Sequence, residues 1–432
     1  MRRVGRTQKV EPTAIEDTIS SCESPSGSVT VPLLAPSRSL LRADAVWVTV
    51  CNWAEALDRR YGASQILAGT DTPTIEELRH VLFDDPDSPY ERQRSPIVKR
   101  IRSAPFIKPV ETLAKDSRWA LGGRRSAIPT PEAFAGTPYV WQHHNLFHRR
   151  GRALADALGV PLLHFVDAPH VWESERWGIS RGPFTSLVER LGEQPQARSA
   201  DLVACVSDEV ANAVVERLGV QSHRIVITPC TVDVERFART DATALRQELG
   251  LENKVVVGWI GSFRPFHAVD VLIESFAAAS RSAPALHLML VGSGAVLADA
   301  KADVARRGLG DRVTFVGAVP NELAPDYISL FDIAVLPATD GPFHYSPLKL
   351  REFAAVGSAI IAADVGNISA TIKDGEEALI VGAGTPAALG EAIVALATDP
   401  ERRRQLGSAA QRAASARFGM QQVLELVEQR LS

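Results

Sequence analysis

Cationic side chains follow an apolar strand pattern in the C-terminal half of the chain, where they could bind a negatively charged ligand. The run VVVGWI is followed by GSFRPFHAVD, in which Gly261 permits a close turn and Arg264 and His267 lie at the exit of the strand. Ligands bind at the carboxyl ends of strands in open parallel sheets, and an arginine fork suits a pair of diphosphate oxygens. An exposed loop with an unrelated arginine is the alternative interpretation.

A second candidate lies in the segment SPLKLREFAAVG, which predicts the start of a helix. Ser346 occupies the expected N-cap, Pro347 the first helical position, and Lys349 lies just inside. Free amides at this start, together with Lys349, would attract a diphosphate. Glu352, one turn further, could accept hydrogen bonds from both hydroxyls of a ribose. The alternative is an exposed Glu352 that pairs with Arg351 or Lys349.

A regular alternation of strand and helix patterns positions these segments. A third strand end, FVGAVP, could turn the backbone around Val319 toward a flat base. Runs such as VVVGWI and LHLMLV are continuously apolar, as in parallel strands that helices cover on both faces. We therefore expect α/β domains with doubly wound sheets.

A chain of 432 residues is too long for one ordinary core, so two such domains in series are expected. Residues 1–27 are interpreted as a mobile tail, because they lack the apolar run of a secretory signal. The first α/β domain is predicted over 28–240 and the second over 241–415. Two terminal helices are expected, and the one over 416–432 could pack back on the first domain.

Composition excludes several classes of protein. A formal charge of −4 gives no reason to expect a nucleic-acid partner. No apolar run approaches the roughly 20 residues that span a bilayer. The four cysteines show no CxxC spacing, which fits a reduced cytoplasmic compartment and indicates neither a disulfide framework nor a metal site.

The motifs, in this order, resemble those of glycosyltransferase family 4, the retaining GT-B enzymes, from about residue 28 to the end. A subgroup of that family has a strand ending GSFRPWHG and a later SPLKLFEYMAAG, which here are GSFRPFHA and SPLKLREFAAVG. In the first domain, HHNLFHRRGRALADALGVPLLHFVDAPHVWE and ADLVACVS followed by RIVITPCTVDVERF are also similar to the subgroup. The resemblance implies a GT-B fold, in which two Rossmann-like domains face each other across a cleft.

The resemblance also implies roles for individual residues. Glu352 would hold the donor ribose, and Val319 would contact the base. The residues that would hold the diphosphate are Ser346, Leu348 and Lys349. The family's usual arginine and lysine after the first strand of the second domain fall on Ser262 and His267, and Arg264 would replace part of the lost charge.

Three positions depart from the family pattern. A second glutamate often stands eight positions before the ribose glutamate, where this chain has His344, still a donor-site candidate. The glycine-rich loop after the first strand is replaced by LAPSRSLL. The histidine or asparagine that follows the VPLL strand becomes Asp167, which could accept a bond from a sugar hydroxyl or assist an oxocarbenium charge. Capping of the following turn is the alternative role for Asp167.

The implied reaction is transfer with retention from a nucleoside-diphosphate sugar, without a further cofactor. Lys349, Arg264 and the helix start would stabilise the departing diphosphate, and no protein nucleophile is required. His143 and His144, with Glu173, are candidates for the acceptor side. No carboxylate stands at metal-ligand spacing from these histidines or from His148, so no metal is expected.

The stretch from Glu91 to Arg125 is strongly basic and has apolar residues interleaved. It could bind an anionic acceptor or a membrane surface, or it could form a solvated face. The expected partners are therefore a nucleotide-sugar donor and an unidentified acceptor, with peripheral membrane contact as an option. The alternatives to a transferase are a catalytically silent GT-B protein that binds a nucleotide or partner, and an epimerase or pseudo-glycosyltransferase on the same fold.

Overall fold

Two parallel sheets form the centre of the molecule. The computed structural model describes residues 29–37, 44–80, 107–125, 130–176, 178–238, 241–339 and 347–432. The strands of the first sheet are β1 (Val29–Ala35), β2 (Gly62–Ala68), β3 (Val140–His143), β4 (Leu162–Val166), β5 (Leu202–Cys205) and β6 (Ile225–Ile227). The strands of the second sheet are β7 (Val255–Ile260), β8 (Leu286–Val291), β9 (Val313–Gly317), β10 (Ile333–Leu336), β11 (Ala359–Ala363) and β12 (Leu379–Val381).

Helices connect the strands and cover both sheets. In the first half they are α1 (Asp44–Tyr61), α2 (Ile75–His80), α3 (Ile107–Arg125), α4 (Arg150–Leu158), α5 (His170–Arg176), α6 (Thr185–Val188), α7 (Gln194–Ser199), α8 (Asp208–Ala213) and α9 (Val234–Ala238). In the second half they are α10 (Thr243–Glu248), α11 (Val269–Ser282), α12 (Leu297–Arg306), α13 (Ala324–Ser329), α14 (Leu348–Val356), α15 (Ile368–Thr371), α16 (Pro386–Thr398), α17 (Pro400–Arg417) and α18 (Met420–Leu431). Short π-helical turns, Glu189–Glu193 and Val214–Leu218, follow α6 and α8.

The predicted doubly wound α/β architecture is confirmed. The first sheet has the order β2-β1-β3-β4-β5-β6 and the second β12-β11-β10-β7-β8-β9, and every pairing is parallel. In each sheet the order reverses beside the first strand of the domain, which creates a crevice at the carboxyl ends. The apolar run of β7 is buried along its centre, as its continuous hydrophobic pattern predicts.

Local signals place several helix ends correctly. Ser207 caps α8 by accepting a hydrogen bond from the amide of Val210, and Gly159 ends α4 in the left-handed conformation at φ 68°. The pattern of LFHRRGRALADALG predicts a helix that starts at Leu146. This start is wrong, because the chain first turns through Phe147 at φ 62° and helix α4 begins at Arg150.

Two further predictions of helix ends need correction. Helix α14 begins one residue later than expected, at Leu348, so that Pro347 is the N-cap. The chain ends in three helices, not two, because Asp399 caps a new helix that has Pro400 in its first turn.

The last helix belongs to the core of the first domain, although it follows the second domain in the sequence. Val423, Leu424 and Val427 of α18 lie in the hydrophobic cluster that contains the strands of the first sheet. At the edge of this contact Glu428 accepts hydrogen bonds from Arg60, at 3.0 and 3.3 Å, and from the hydroxyl of Tyr61, at 2.6 Å. The second sheet has its own two clusters, one on each face.

The described part of the basic stretch is helix α3, which packs on the first domain. Asp116 forms a buried ion pair with Arg181, in which the Nε to Oδ2 distance is 2.7 Å. Leu113 and Trp119 pack against a small cluster around Leu146. The predicted tail over 1–27 and residues 91–106 lie outside the described residues. Among the described helices none is both long and apolar enough to cross a membrane.

Candidate active site

A cavity of about 470 Å³ lies between the carboxyl ends of the two sheets, and it brings the predicted site residues together. The second sheet and its helices contribute Val319, Arg264, His267, Leu348, Lys349 and Glu352. The first contributes His143, His144, Asp167 and Glu173. The remaining two candidates, His344 and Ser346, lie outside the described residues. Residues as far apart in the chain as His143 and Glu352 therefore share one pocket.

Glycine backbone forms the floor of the second-domain half. Gly261, directly after β7, and Gly292, directly after β8, lie so close that a Cβ on Gly292 would be 1.9 Å from the carbonyl oxygen of Gly261. A Cβ on Gly261 would be 2.7 Å from Nζ of Lys349. The two glycines therefore let the ammonium group approach the backbone at the strand ends.

Two cations face this floor. The Nζ of Lys349 lies 5.9 Å from the ring centre of Trp259, and Lys349 belongs to the first turn of α14, the end of a helix that attracts anions. Arg264 is exposed toward the cavity and forms no ion pair with any residue that the structure describes. Together they provide positive charge where a diphosphate would bind.

Glu352 is buried beside these cations, with only 6% of its surface exposed. Burial raises the pKa of Glu352, and the nearby charges of Lys349, Arg236 and Arg79 oppose that rise only in part. Within the described ranges Glu352 makes no hydrogen bond or ion pair. The alternative of an exposed, paired glutamate is therefore wrong, since Arg351 instead donates to the carbonyl of Pro347. A buried carboxylate that lines a cavity without a partner is costly unless a ligand satisfies it.

His267 is present but does not contribute positive charge. Its Nδ1 donates to the carbonyl of Ser262 at 2.5 Å. Burial, with the charges of Lys349 and Arg264 against it, lowers the pKa of His267 to about 3. The ring is therefore neutral at physiological pH, and Nε2 is left as an acceptor for a hydroxyl group.

Asp167 and His143 face each other in the first-domain half. Oδ2 of Asp167 lies 3.5 Å from Nε2 of His143, and Oδ1 accepts a bond from the amide of Ala168 at 2.9 Å. Burial alone would raise the pKa of Asp167, but His143 and the amide outweigh it, so the pKa falls below its usual value. The side chain remains 40% exposed, so an ionised carboxylate is open to the cavity.

A buried polar chain lies behind this pair, and the sequence did not reveal it. The imidazole of His144 contacts Glu193 and His164, with Nε2 to Oε1 at 2.8 Å and Nδ1 to Nε2 at 2.9 Å. His143 and His144 thus each have a carboxylate neighbour, Asp167 and Glu193, although neither carboxylate stands at metal-ligand spacing from them in the sequence. Their partners come from positions 167 and 193, which no local spacing connects to positions 143 and 144.

A second group that the sequence did not reveal joins the two domains beside Val319. Arg79 of α2 donates to Oδ1 of Asn321 at 2.9 Å, and Arg236 of α9 donates to the same oxygen at 3.3 Å. Arg79 is also ion-paired with Glu55 at 2.7 Å. Asn321 lies two residues after Val319, so the loop expected to contact the base is fastened to the first domain.

Comparison with known families agrees with this arrangement. Residues 46–236 match the model described as Glycosyltransferase Family 4, and residues 254–399 match the model of group 1 glycosyl transferases. The two matches cover every strand of both sheets except β1, and they include all of the described residues that line the cavity. The chain belongs to glycosyltransferase family 4. The expected family is thereby confirmed.

Individual relatives of this family 4 protein are distant. It is 30% identical over 277 residues to D-inositol 3-phosphate glycosyltransferase of Nocardia farcinica, an alignment that covers 62% of this chain and 60% of the relative. The aligned part thus spans less than two thirds of that relative's own length.

Solved structures support the fold. The HepE protein of Anabaena, crystallised with UDP-glucose, superposes with a TM-score of 0.61 at 18% identity over 93% of this chain and all of that one. Sucrose-phosphate synthase of Thermosynechococcus elongatus gives a TM-score of 0.58 at 22% identity over 93% and 98% of the two chains. The predicted two-domain GT-B fold is confirmed.

Proposed function

We propose that this family 4 protein is a retaining glycosyltransferase that moves a sugar from a nucleoside-diphosphate donor to a hydroxyl group of an acceptor. The observation that carries the proposal is Glu352, a buried carboxylate without a partner among the described residues, beside Lys349 and opposite Asp167. The cations match a diphosphate and the carboxylate matches a diol, which is the composition of a nucleoside-diphosphate sugar.

In this proposal the donor lies against the second domain. The α- and β-phosphates would lie on the glycine floor, between Arg264 and the first turn of α14 with Lys349. Glu352 would accept both ribose hydroxyls, and the backbone near Val319 would contact the base. The neutral Nε2 of His267 would accept a bond from a sugar hydroxyl.

Transfer then exchanges one glycosidic bond for another on the same face of the sugar. The acceptor oxygen forms a bond to the anomeric carbon while the bond to the diphosphate oxygen breaks. The hydroxyl proton passes to the departing diphosphate, whose charge Lys349, Arg264 and the N-terminal end of α14 stabilise. Asp167 would stabilise the positive charge that develops on the sugar ring.

The names and ligands of the similar proteins indicate which donor and acceptor to test first. UDP-sugars are the first donors to test, since HepE was crystallised with UDP-glucose. A cyclitol is the first acceptor to test, because the relatives bear the name D-inositol 3-phosphate glycosyltransferase.

The experiment incubates the pure protein with a panel of nucleotide sugars, with and without polyol acceptors, and measures release of nucleoside diphosphate. Acceptor-dependent release together with a glycosylated product of retained configuration is expected. Binding of a nucleotide sugar without any release would support the silent alternative, and conversion of the donor without transfer would support an epimerase.

Lys349 provides the matched test of the binding mode. Lys349→Ala is expected to weaken UDP binding about 10–100-fold, the loss of one charge-assisted bond. Lys373→Ala removes an exposed lysine of the same domain, paired with Glu376 at 3.5 Å, and should leave UDP binding unchanged. Equal UDP affinity in the two variants would contradict the proposed diphosphate site.

A further inference from the structure

The first-domain half of the cavity rests on a chain of buried hydrogen bonds that ends at Glu193. Glu193 lies at the end of the π-helical turn Glu189–Glu193, with no exposed surface. Its Oε1 is 2.8 Å from Nε2 of His144 and accepts the amide of His170 at 2.6 Å, while Oε2 accepts the amide of Val171 at 3.3 Å. One carboxylate thus joins the loop after β3 to the first turn of α5.

The direction of the chain is fixed at its far end. Oε1 of Gln142 accepts the amide of Gly151 at 2.7 Å, so the other half of this amide group is the NH₂. That NH₂ donates to the carbonyl of His148 at 2.8 Å and lies 3.3 Å from Nδ1 of His164. A Cβ on Gly151 would be 2.3 Å from Oε1 of Gln142, so a glycine is needed for this arrangement.

The tautomers of both rings follow from this orientation. Nδ1 of His164 accepts from Gln142, so the proton of His164 is on Nε2 and is donated to Nδ1 of His144 at 2.9 Å. The proton of His144 is then on Nε2 and is donated to Glu193. Every donor along the chain points toward the one carboxylate. Although burial alone would raise the pKa of Glu193, the hydrogen bonds from His144 and from the amide of His170 lower it.

This chain of hydrogen bonds connects the two loops that carry His143 and Asp167 in the first-domain half of the cavity. His143, next to His144, ends β3, and Asp167 stands three residues before His170. The 3.5 Å contact between His143 and Asp167 therefore spans the same gap that Glu193 bridges from behind. We propose that Glu193 is a positioning residue, which through His144 and the amide of His170 holds Asp167 at its place beside the cavity.

The first test needs no substrate. In ¹⁵N-correlated spectra of the wild-type protein with labelled histidine, His144 and His164 are both expected to carry their proton on Nε2 at neutral pH. Assignment uses His144→Gln and His164→Gln. A proton on Nδ1 of either ring in the wild type would overturn the proposal, whatever the function of the protein.

The second test is kinetic and rests on the proposed function. Glu193→Ala removes the acceptor of His144 and His170, and is expected to lower kcat about 10–100-fold, the loss seen when a carboxylate that orients a histidine is removed from other sites. The KM for the nucleotide sugar should stay within about twofold, since the donor binds to the other domain. Glu193→Gln keeps one oxygen and is expected to recover part of kcat.

Glu189 provides the control, because it is a second buried glutamate in the same π-helical turn. It pairs with Arg217 at 2.5 Å, whereas Glu193 holds His144 and the amides of His170 and Val171. Glu189→Gln should therefore leave kcat unchanged even if it costs stability. An equal loss of kcat in Glu189→Gln and Glu193→Gln, or full activity in a folded Glu193→Ala, would overturn the positioning role.

The two arms also separate this proposal from the proposed function. If no donor is turned over but both histidine rings carry their proton on Nε2, the transferase proposal fails. The assigned hydrogen bonds from Gln142 to Glu193 are then still correct. Should Glu193→Ala fail to fold, circular dichroism will show it, and Glu193→Gln with the wild-type spectrum then decides the outcome.

Discussion

Two buried glutamates, Glu193 behind the first-domain half of the cavity and Glu352 in the lining of the second-domain half, are stabilised in opposite ways. Glu193, in the first domain, accepts three hydrogen bonds from protein groups, and its pKa is lowered. Glu352, in the second domain, has no partner among the described residues, and its pKa is raised. A buried carboxylate whose hydrogen bonds come from the protein, such as Glu193, makes its surroundings rigid. A buried carboxylate without protein donors, such as Glu352, can gain its hydrogen bonds from a ligand and so contribute to binding.

Removal of the unsatisfied carboxylate of Glu352 is expected to have the largest effect. Glu352→Ala should abolish the thermal shift given by UDP-sugars, because two charge-assisted bonds to a ribose, together worth about 3–6 kcal/mol, are lost. Glu391→Ala, an exposed glutamate on α16, is the control in the same scanning fluorimetry. An unchanged shift in Glu352→Ala would mean that the two glutamates do not differ as described.

Removing the ionised group of the other half should separate turnover from binding. Asp167→Ala is expected to lower the rate of nucleotide release about 100-fold or more, since stabilisation of the developing charge is lost. The UDP-sugar thermal shift should persist, because the donor contacts belong to the second domain. Loss of the shift along with turnover would show that Asp167 acts on the donor site instead.

The free energy of unfolding is expected to depend on pH, because the folded protein holds His267 in its neutral form. In the folded protein its pKa is about 3, below the 6.5 of an unfolded histidine, so the unfolded state binds a proton that the folded state does not between these values. Stability is therefore lost as pH falls through this window, by about 2 kcal/mol at pH 5.

Urea denaturation at pH 7.5 and pH 5 measures this effect. His267→Gln should lose part of the difference between the two pH values, while the exposed His223→Gln should keep all of it. The same pH dependence in both variants would assign the acid sensitivity to other groups.

The smallest expected effect tests the glycine floor. Gly261→Ala would place a Cβ 2.4 Å from Cε of Lys349, so the flexible lysine must move, and UDP binding should weaken about tenfold, or 1.4 kcal/mol. Gly310→Ala adds a methyl group in open space and is the control for isothermal titration. Affinities that agree within twofold would show that the lysine position is not set by the glycine.

The fold and the donor half were predictable because their signals are local. Continuous apolar runs identified β7 and β8, and PLKLRE placed Lys349 and Glu352 one turn apart on a helix. The acceptor half was only partly predictable. Asp167 followed from a strand end, but the partners of His144 stand 20 and 49 positions away, and a buried histidine in a strand such as β4 has no sequence mark that separates it from any polar residue.

The ends of α14 and α4 were misplaced for a related reason. A proline fits both the N-cap and the first turn, so Pro347 alone could not choose between them. The turn at Phe147 has a positive φ without a glycine, which the sequence pattern does not announce. Tertiary contacts, here the bond from the Phe147 amide to the carbonyl of Gly192, fix it.

The position of α18 has a consequence for how the protein opens and how it can be shortened. Because the chain leaves the first domain before β7 and returns to it after α17, two polypeptide crossings connect the halves. With these two crossings as hinges, rotation of one domain against the other about a single axis is favoured over free rotation. Deleting the final twelve residues would remove one hinge and uncover an apolar face of the first domain, so a chain cut there should aggregate before it loses nucleotide contacts.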